Sequence, residues 1–323
     1  MEGAGRRGER TIGWGPGRAG VEAWRGSRLA LLCLPVALVV ASLLSGCTVP
    51  RPEGASPLRY RDQVFSSVTK NADVQYGSAS DLQGNPVALK LDLYRPVGDT
   101  ETQRPAMLFV HGGGFCCGDK SASNVTDLAK TFAKLGYVSA SINYRLLAET
   151  GCGGSGVTPE CTVAALAAQH DAQAAVRWLR ANASTYGVDP TRIGIGGTSA
   201  GAVTATLVGL NSEDPGDSGN PGYPSKVGGF MSLSGGIPES SVINAGDSPG
   251  LLFHGTADTV VPYQWSASTA ATMLNAGVAA YLETFDGAGH VPYNTYHDEI
   301  VSQTDYFFYD FLDLAHAHGQ PGT

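Results

Sequence analysis

The sequence has 323 residues, of which 42% are hydrophobic and 15% charged, and its 43 Gly and 18 Pro follow no fixed period. That composition excludes collagen-like, coiled-coil and disordered chains. The net charge of −8, without a basic stripe, argues against a nucleic-acid-binding surface. The first 46 residues carry six Arg against three Glu, so the rest of the chain is more acidic still.

In chain order, the first feature is an uncharged run over 29–44, interrupted only by Pro35. A membrane-spanning helix needs roughly 20 apolar residues, so this run is short for a stable anchor and suits a signal-peptide core. The preceding n-region is long, and translation beginning near Val21 would give a shorter Arg-bearing one. The run ends in Leu44-Ser45-Gly46-Cys47, which resembles the bacterial lipobox. We therefore expect residues 1–46 to be a lipoprotein signal and Cys47 to be lipidated, giving an exported protein held at a membrane surface. An ordinary secretory signal or a short signal anchor is the alternative. Residues 47–69, rich at first in Pro, Gly and Ser, read as a tether.

From residue 70 short apolar runs alternate with helix-length segments. Strands are expected over 73–76, 87–94, 106–110, 137–143, 192–196, 227–233, 250–253 and 279–285. Helices are expected over 121–134, 163–183, from Ala200, over 263–275 and over 296–314. Unbroken apolar strands between helices argue for one domain, 70–316, built on a mostly parallel sheet covered on both faces. Residues 317–323 read as a disordered tail.

Chemistry concentrates at the ends of these strands. Gly197-Thr198-Ser199-Ala200-Gly201 is a G-x-S-x-G at a strand-to-helix turn, where a strained backbone presents a nucleophilic Ser. A dinucleotide fingerprint fits poorly because Ser199 stands at the third glycine position, and a P-loop is excluded because no Lys follows. His111-Gly112-Gly113-Gly114-Phe115 directly follows the strand ending at Val110. Three successive glycines are entropically costly, and they make sense where backbone N–H groups must face a ligand. A Ser nucleophile needs a base and the base an orienting acid. His290 lies in a loop after the last strand, and Asp258 in a loop after the strand ending at Phe253; Asp286 is a rival acid. His254 reads as structural.

Carrying these motifs, the stretch from about Leu89 to Phe311 resembles an α/β hydrolase of the HGGG-type carboxylesterase and lipase branch, similar to feruloyl- or acetyl-esterase-like proteins. Asp92-Leu93-Tyr94-Arg95-Pro96, Gly118-Asp119-Lys120, Asn143-Tyr144-Arg145-Leu146 and Gly187-Val188-Asp189-Pro190 add to the likeness. The resemblance implies an eight-stranded α/β-hydrolase fold without a large cap domain. It also implies that the N–H groups of Gly113, Gly114 and Ala200 form an oxyanion hole, and that small-molecule esters are cleaved by Ser199, His290 and Asp258 without metal or cofactor. A serine peptidase of the prolyl-oligopeptidase type and a non-catalytic surface lipoprotein are the competing readings. Four cysteines remain after Cys33 and Cys47: Cys116, Cys117, Cys152 and Cys161. In an exported chain these favour disulfides, and we expect at least one bridge from the 116–117 pair to the 152–161 loop.

Overall fold

The computed structural model describes residues 48–153, 157–211, 214–239 and 241–320. Cys47 and residues 1–46, the expected signal, lie outside the described residues, as do residues 321–323. Eight strands form one sheet: β1 (Val68–Ser80), β2 (Pro86–Pro96), β3 (Arg104–Val110), β4 (Val138–Ile142), β5 (Val188–Thr198), β6 (Phe230–Leu233), β7 (Gly250–Gly255) and β8 (Ala280–Phe285). Their order across the sheet is β1-β2-β4-β3-β5-β6-β7-β8. β1 and β2 run antiparallel, β2 also meets β4 antiparallel, and every later pairing is parallel. This is the α/β-hydrolase arrangement. Among the described residues no helix is long and apolar enough to cross a membrane.

The strands sort their side chains by the twofold period of an extended chain. Ala106, Leu108 and Val110 of β3 face one apolar core, and Met107 and Phe109 the other. The first core lies under α2 (Pro159–Ala181) and α4 (Ala200–Leu210), separated in sequence by the single-turn α3 (Ala183–Tyr186). The second lies under α1 (Ser123–Leu135) and α6 (His297–Phe311). α5 (Tyr263–Asn275) covers the β7–β8 edge, where Ala270 packs with Leu252 and Leu282. Helix limits follow local chemistry. α2 opens on Thr158, whose hydroxyl accepts the Cys161 N–H at 3.2 Å, with Pro159 in the first turn.

Four expectations need correction. β1 is 13 residues long rather than four, because register shifts between Asn71 and Val74 and between Gln75 and Gly77 break the alternation that marks a strand in sequence. The expected tether is bound to the body over much of its length. Val49, Leu58 and Tyr60 are buried, the Tyr60 N–H donates to Leu135 O at 2.9 Å, and Arg59 forks onto Asp99 at 3.0 and 2.6 Å. The expected tail is docked as far as Gln320, whose side-chain amide donates to Arg59 O at 2.9 Å. In both segments a few apolar or hydrogen-bonding side chains among polar neighbours find long-range partners, which composition does not register. The last helix also ends early, at Phe311. Asp313 turns left-handed, and a 3-10 turn, Leu314–His316, follows.

Candidate active site

Ser199 stands between β5 and α4 with φ 55° and ψ −122°, a region that costs a non-glycine residue of order 1–3 kcal/mol. The turn is tight enough that a Cβ on Gly197 would lie 2.2 Å from Gly201 O, so a side chain there is excluded. Ser199 N–H donates to Leu233 O at 2.9 Å, which ties the strained residue to β6. Asn124 of α1 donates to Thr198 Oγ1 at 3.1 Å, and both residues line the cleft above Ser199.

The three residues singled out from sequence meet here. His290 Nε2 is 2.8 Å from Ser199 Oγ, and His290 Nδ1 is 2.8 Å from Asp258 Oδ2. Asp258 Oδ1 accepts the N–H groups of Val260 and Val261 at 2.8 and 3.0 Å. Burial alone would raise this carboxyl's pKa. The hydrogen bonds from His290 and the two backbone N–H groups outweigh it, and the net shift is downward. Because Oδ2 faces the ring, Nδ1 carries the proton and Nε2 is left to accept from the Ser199 hydroxyl. Asp286, the rival acid, is exposed and accepts from Thr256 Oγ1 at 3.1 Å instead.

The glycine turn after β3 is held by its carbonyls. Gly112 O accepts from His111 Nδ1 at 2.7 Å, and Gly113 O accepts the N–H groups of Cys116 and Cys117 at 3.2 and 3.0 Å. Gly113 and Gly114 line the cleft together with Ser199 and His290. Gly113 takes φ 122°, and a Cβ there would lie 2.1 Å from Cys117 O. Ala200 begins α4, where the first-turn N–H groups have no partner within the helix. The His111 ring stacks on Tyr144 at 4.5 Å, and the Tyr144 hydroxyl donates to His111 O at 3.0 Å, fixing the turn from below.

Two spaces adjoin the turn of Ser199 and Ala200. One is an open cleft of about 580 Å³ bounded by the glycine turn, Asn124, Val260 and His290. The other is a cavity of about 270 Å³ with almost wholly apolar walls, among them Phe115, Ala200, Val203, Leu207, Ile237 and Trp265. Glu239 is the one charged side chain among its described lining residues. The cavity wall includes a disulfide, Cys152–Cys161. Cys116 and Cys117 are free thiols, which overturns the expected cross-bridge. The Cys116 thiol instead donates to Gly113 O at 3.3 Å, inside its own turn, while Cys152 and Cys161 approach each other across nine residues at the start of α2. The two segments still touch through the backbone, since Cys152 N–H donates to Gly114 O at 2.9 Å.

Three contributors escape a reading by motif. His254 lies 3.2 Å from Asp258. Ser234 Oγ accepts the Val291 N–H at 3.0 Å. Asp127 of α1 accepts both Tyr293 Oη at 2.7 Å and His297 Nε2 at 2.8 Å, pinning the segment that follows His290. Among the described residues no group of three His, Cys, Asp or Glu side chains could hold a metal ion.

Fold and site together define an α/β-hydrolase fold in which Ser199, His290 and Asp258 are hydrogen-bonded at the C-terminal edge of the sheet. The family model described as BD-FAE matches residues 91–224, and that of the prolyl oligopeptidase family matches residues 238–314. The chain is similar to Lipase 1 of Geotrichum candidum, 31% identical over 41% of this chain and 23% of that one. It is also similar to human arylacetamide deacetylase-like 2, 34% identical over 38% of this chain and 28% of the relative. The match thus spans about a quarter of these relatives' own length. Among solved structures, esterase 2 of Thermogutta terrifontis, phosphoramylated by tabun, superposes with a TM-score of 0.61 at 23% identity, covering 76% of this chain and 95% of that one. A truncated carbohydrate esterase from gut microbiota gives a TM-score of 0.61 at 22% identity, over 78% of this chain and 98% of its own.

Proposed function

We propose that this protein is a serine hydrolase of carboxylic esters, with Ser199 as nucleophile, His290 as general base and Asp258 as the orienting acid. The observation that carries the reading is the unbroken hydrogen-bonded path from Ser199 Oγ through both nitrogens of His290 to Asp258, opening on a cleft. Ser199 Oγ attacks the ester carbonyl as His290 Nε2 takes its proton, and Asp258 stabilises the imidazolium. The N–H groups of Gly113, Gly114 and Ala200 hold the oxyanion, each such donor contributing about 3–4 kcal/mol to the transition state. His290 returns the proton to the departing alcohol, then draws one from the water that cleaves the acyl-enzyme.

The apolar cavity suits a short aliphatic or an aryl acyl group, and the open cleft leaves room for a bulky alcohol such as a sugar. Relatives named as lipases, deacetylases and esterases support ester cleavage. The prolyl-oligopeptidase match supports peptide cleavage as a second reading, because it covers the segment holding Asp258 and His290. One panel separates them: p-nitrophenyl esters of rising chain length, acetylated and feruloylated sugars, and peptide p-nitroanilides. We expect turnover of esters, labelling by a fluorophosphonate, and loss of both in Ser199→Ala by on the order of 10⁴–10⁶ in rate. Retained turnover in Ser199→Ala rejects the reading.

We also propose that Cys47 is lipidated after export, which would anchor the enzyme at the cell envelope. Cys47→Ser should abolish fatty-acid labelling in a bacterial host and release the protein from membranes. Unchanged partition and labelling would refute the anchor.

A further inference from the structure

His254, next to last in β7, is completely buried, with no side-chain exposure. Its Nε2 is 3.0 Å from Val261 O and 3.2 Å from Asp258 Oδ2, both acceptors, so this nitrogen carries the proton. Its Nδ1 is 2.7 Å from Ser266 Oγ of α5, which also lies 3.2 Å from Gly235 O. The charged and titratable groups around the ring are Asp258 in the loop after β7, His290 in the loop after β8, and Tyr263 of α5, whose ring meets the imidazole edge-on at 5.8 Å. Burial holds the imidazole pKa below its ordinary value, against the opposing pull of Val261 O and Asp258, which agrees with the neutral form.

The contacts of this ring converge on one carboxylate. Val261 accepts from His254 through its carbonyl and donates to Asp258 Oδ1 through its N–H. The same Nε2–H faces Oδ2, the oxygen that holds His290 Nδ1. His254 thus bears on both oxygens of Asp258, one directly and one through the 258–261 loop. We propose that His254 is a positioning residue for Asp258: it fixes the carboxylate in the rotamer that faces His290 and withdraws negative charge from Oδ2. The inference rests on the role given to Asp258 above, since it has no meaning if Asp258 is not the orienting acid. A carboxylate relieved of this donor binds the imidazolium form of the base more tightly, so the base deprotonates at higher pH.

Two amide substitutions divide the ring's functions. In His254→Asn the side-chain amide reaches only the Nδ1 position and can meet Ser266. In His254→Gln it extends to the Nε2 position and can meet Val261 O and Asp258. With p-nitrophenyl butyrate as substrate, we expect His254→Asn to lower kcat about tenfold, leave KM within about twofold, and move the acidic limb of the kcat/KM profile up by about half a pH unit. His254→Gln should recover most of kcat and return the limb to its wild-type place. Equal losses in both variants with an unmoved limb would show that His254 only fills space, and would overturn the proposal; so would full activity in His254→Asn. If His254→Asn fails to fold, His254→Gln decides alone: a wild-type kcat and limb support the proposal, and a tenfold loss in a folded protein overturns it. Ser199→Ala run alongside separates the two inferences, because retained turnover there rejects the catalytic reading itself, whereas a dead Ser199→Ala with silent His254 variants rejects only this one.

Discussion

Asp258 holds a buried charge because its surroundings supply donors to both oxygens, two backbone N–H groups on Oδ1 and His290 on Oδ2. Replacing one oxygen by an amide nitrogen keeps the shape and reverses the hydrogen bond to His290, so the base presents the wrong tautomer. We expect Asp258→Asn to lower kcat by about 10⁴, while the exposed Asp286→Asn stays within about twofold of wild type. Single-turnover kinetics on a p-nitrophenyl ester check this, and the opposite ranking would identify Asp286 as the acid. At this scale the grouping of Ser199, His290 and Asp258 was legible, because G-x-S-x-G marks a specific backbone turn and each candidate follows a separate apolar strand. His254 was not legible. Four residues from Asp258 at the end of a strand, it has no motif of its own, and only the fold of the 258–261 loop turns Val261 O and Asp258 Oδ2 toward its ring.

Among the elements, the segment closed by Cys152–Cys161 joins the apolar cavity to the glycine turn. Both cysteines line the cavity, and the Cys152 N–H holds Gly114 O. Closing so short a loop stabilises by about 2–3 kcal/mol in the chain-entropy model. The double variant Cys152→Ser/Cys161→Ser should lose about that much in urea unfolding. Its kcat/KM for p-nitrophenyl hexanoate should fall about threefold or more relative to the acetate, because the longer acyl group reaches the loosened wall. Unchanged stability and an unchanged hexanoate-to-acetate ratio would show that the bridge neither braces the fold nor shapes the cavity. Sequence spacing left the pairing of four cysteines open. The choice depended on which sulfurs the turn of α2 brings together, and the glycine turn keeps Cys116 bonded to its own backbone.

For the molecule as a whole, one acidic group in the second core works against stability. Asp305 of α6 is buried, and its Oδ1 has no hydrogen-bond partner among the described residues. Burial holds this carboxyl protonated well above its ordinary pKa, Asp62 adding to the shift while Arg61 and Arg51 oppose it. Below about pH 4 folded and unfolded chains are both protonated here and no penalty arises. As pH rises, the unfolded chain ionises and the folded one does not, so stability falls. Asp305→Asn should therefore raise Tm at pH 7 by a few degrees, or about 1–2 kcal/mol, and the gain should vanish near pH 4. A gain independent of pH, or none at pH 7, would show that Asp305 is ionised in the folded protein. By itself the sequence determined the strand–helix alternation, the sheet it implies and the order of Ser199, Asp258 and His290, because apolar runs and glycine turns are local consequences of backbone geometry and burial. Only the tertiary structure decided that residues from Val49 onward pack on the body, that Cys152 pairs with Cys161 and that His254 faces Asp258, because each depends on distances between segments set by the packing of the whole sheet.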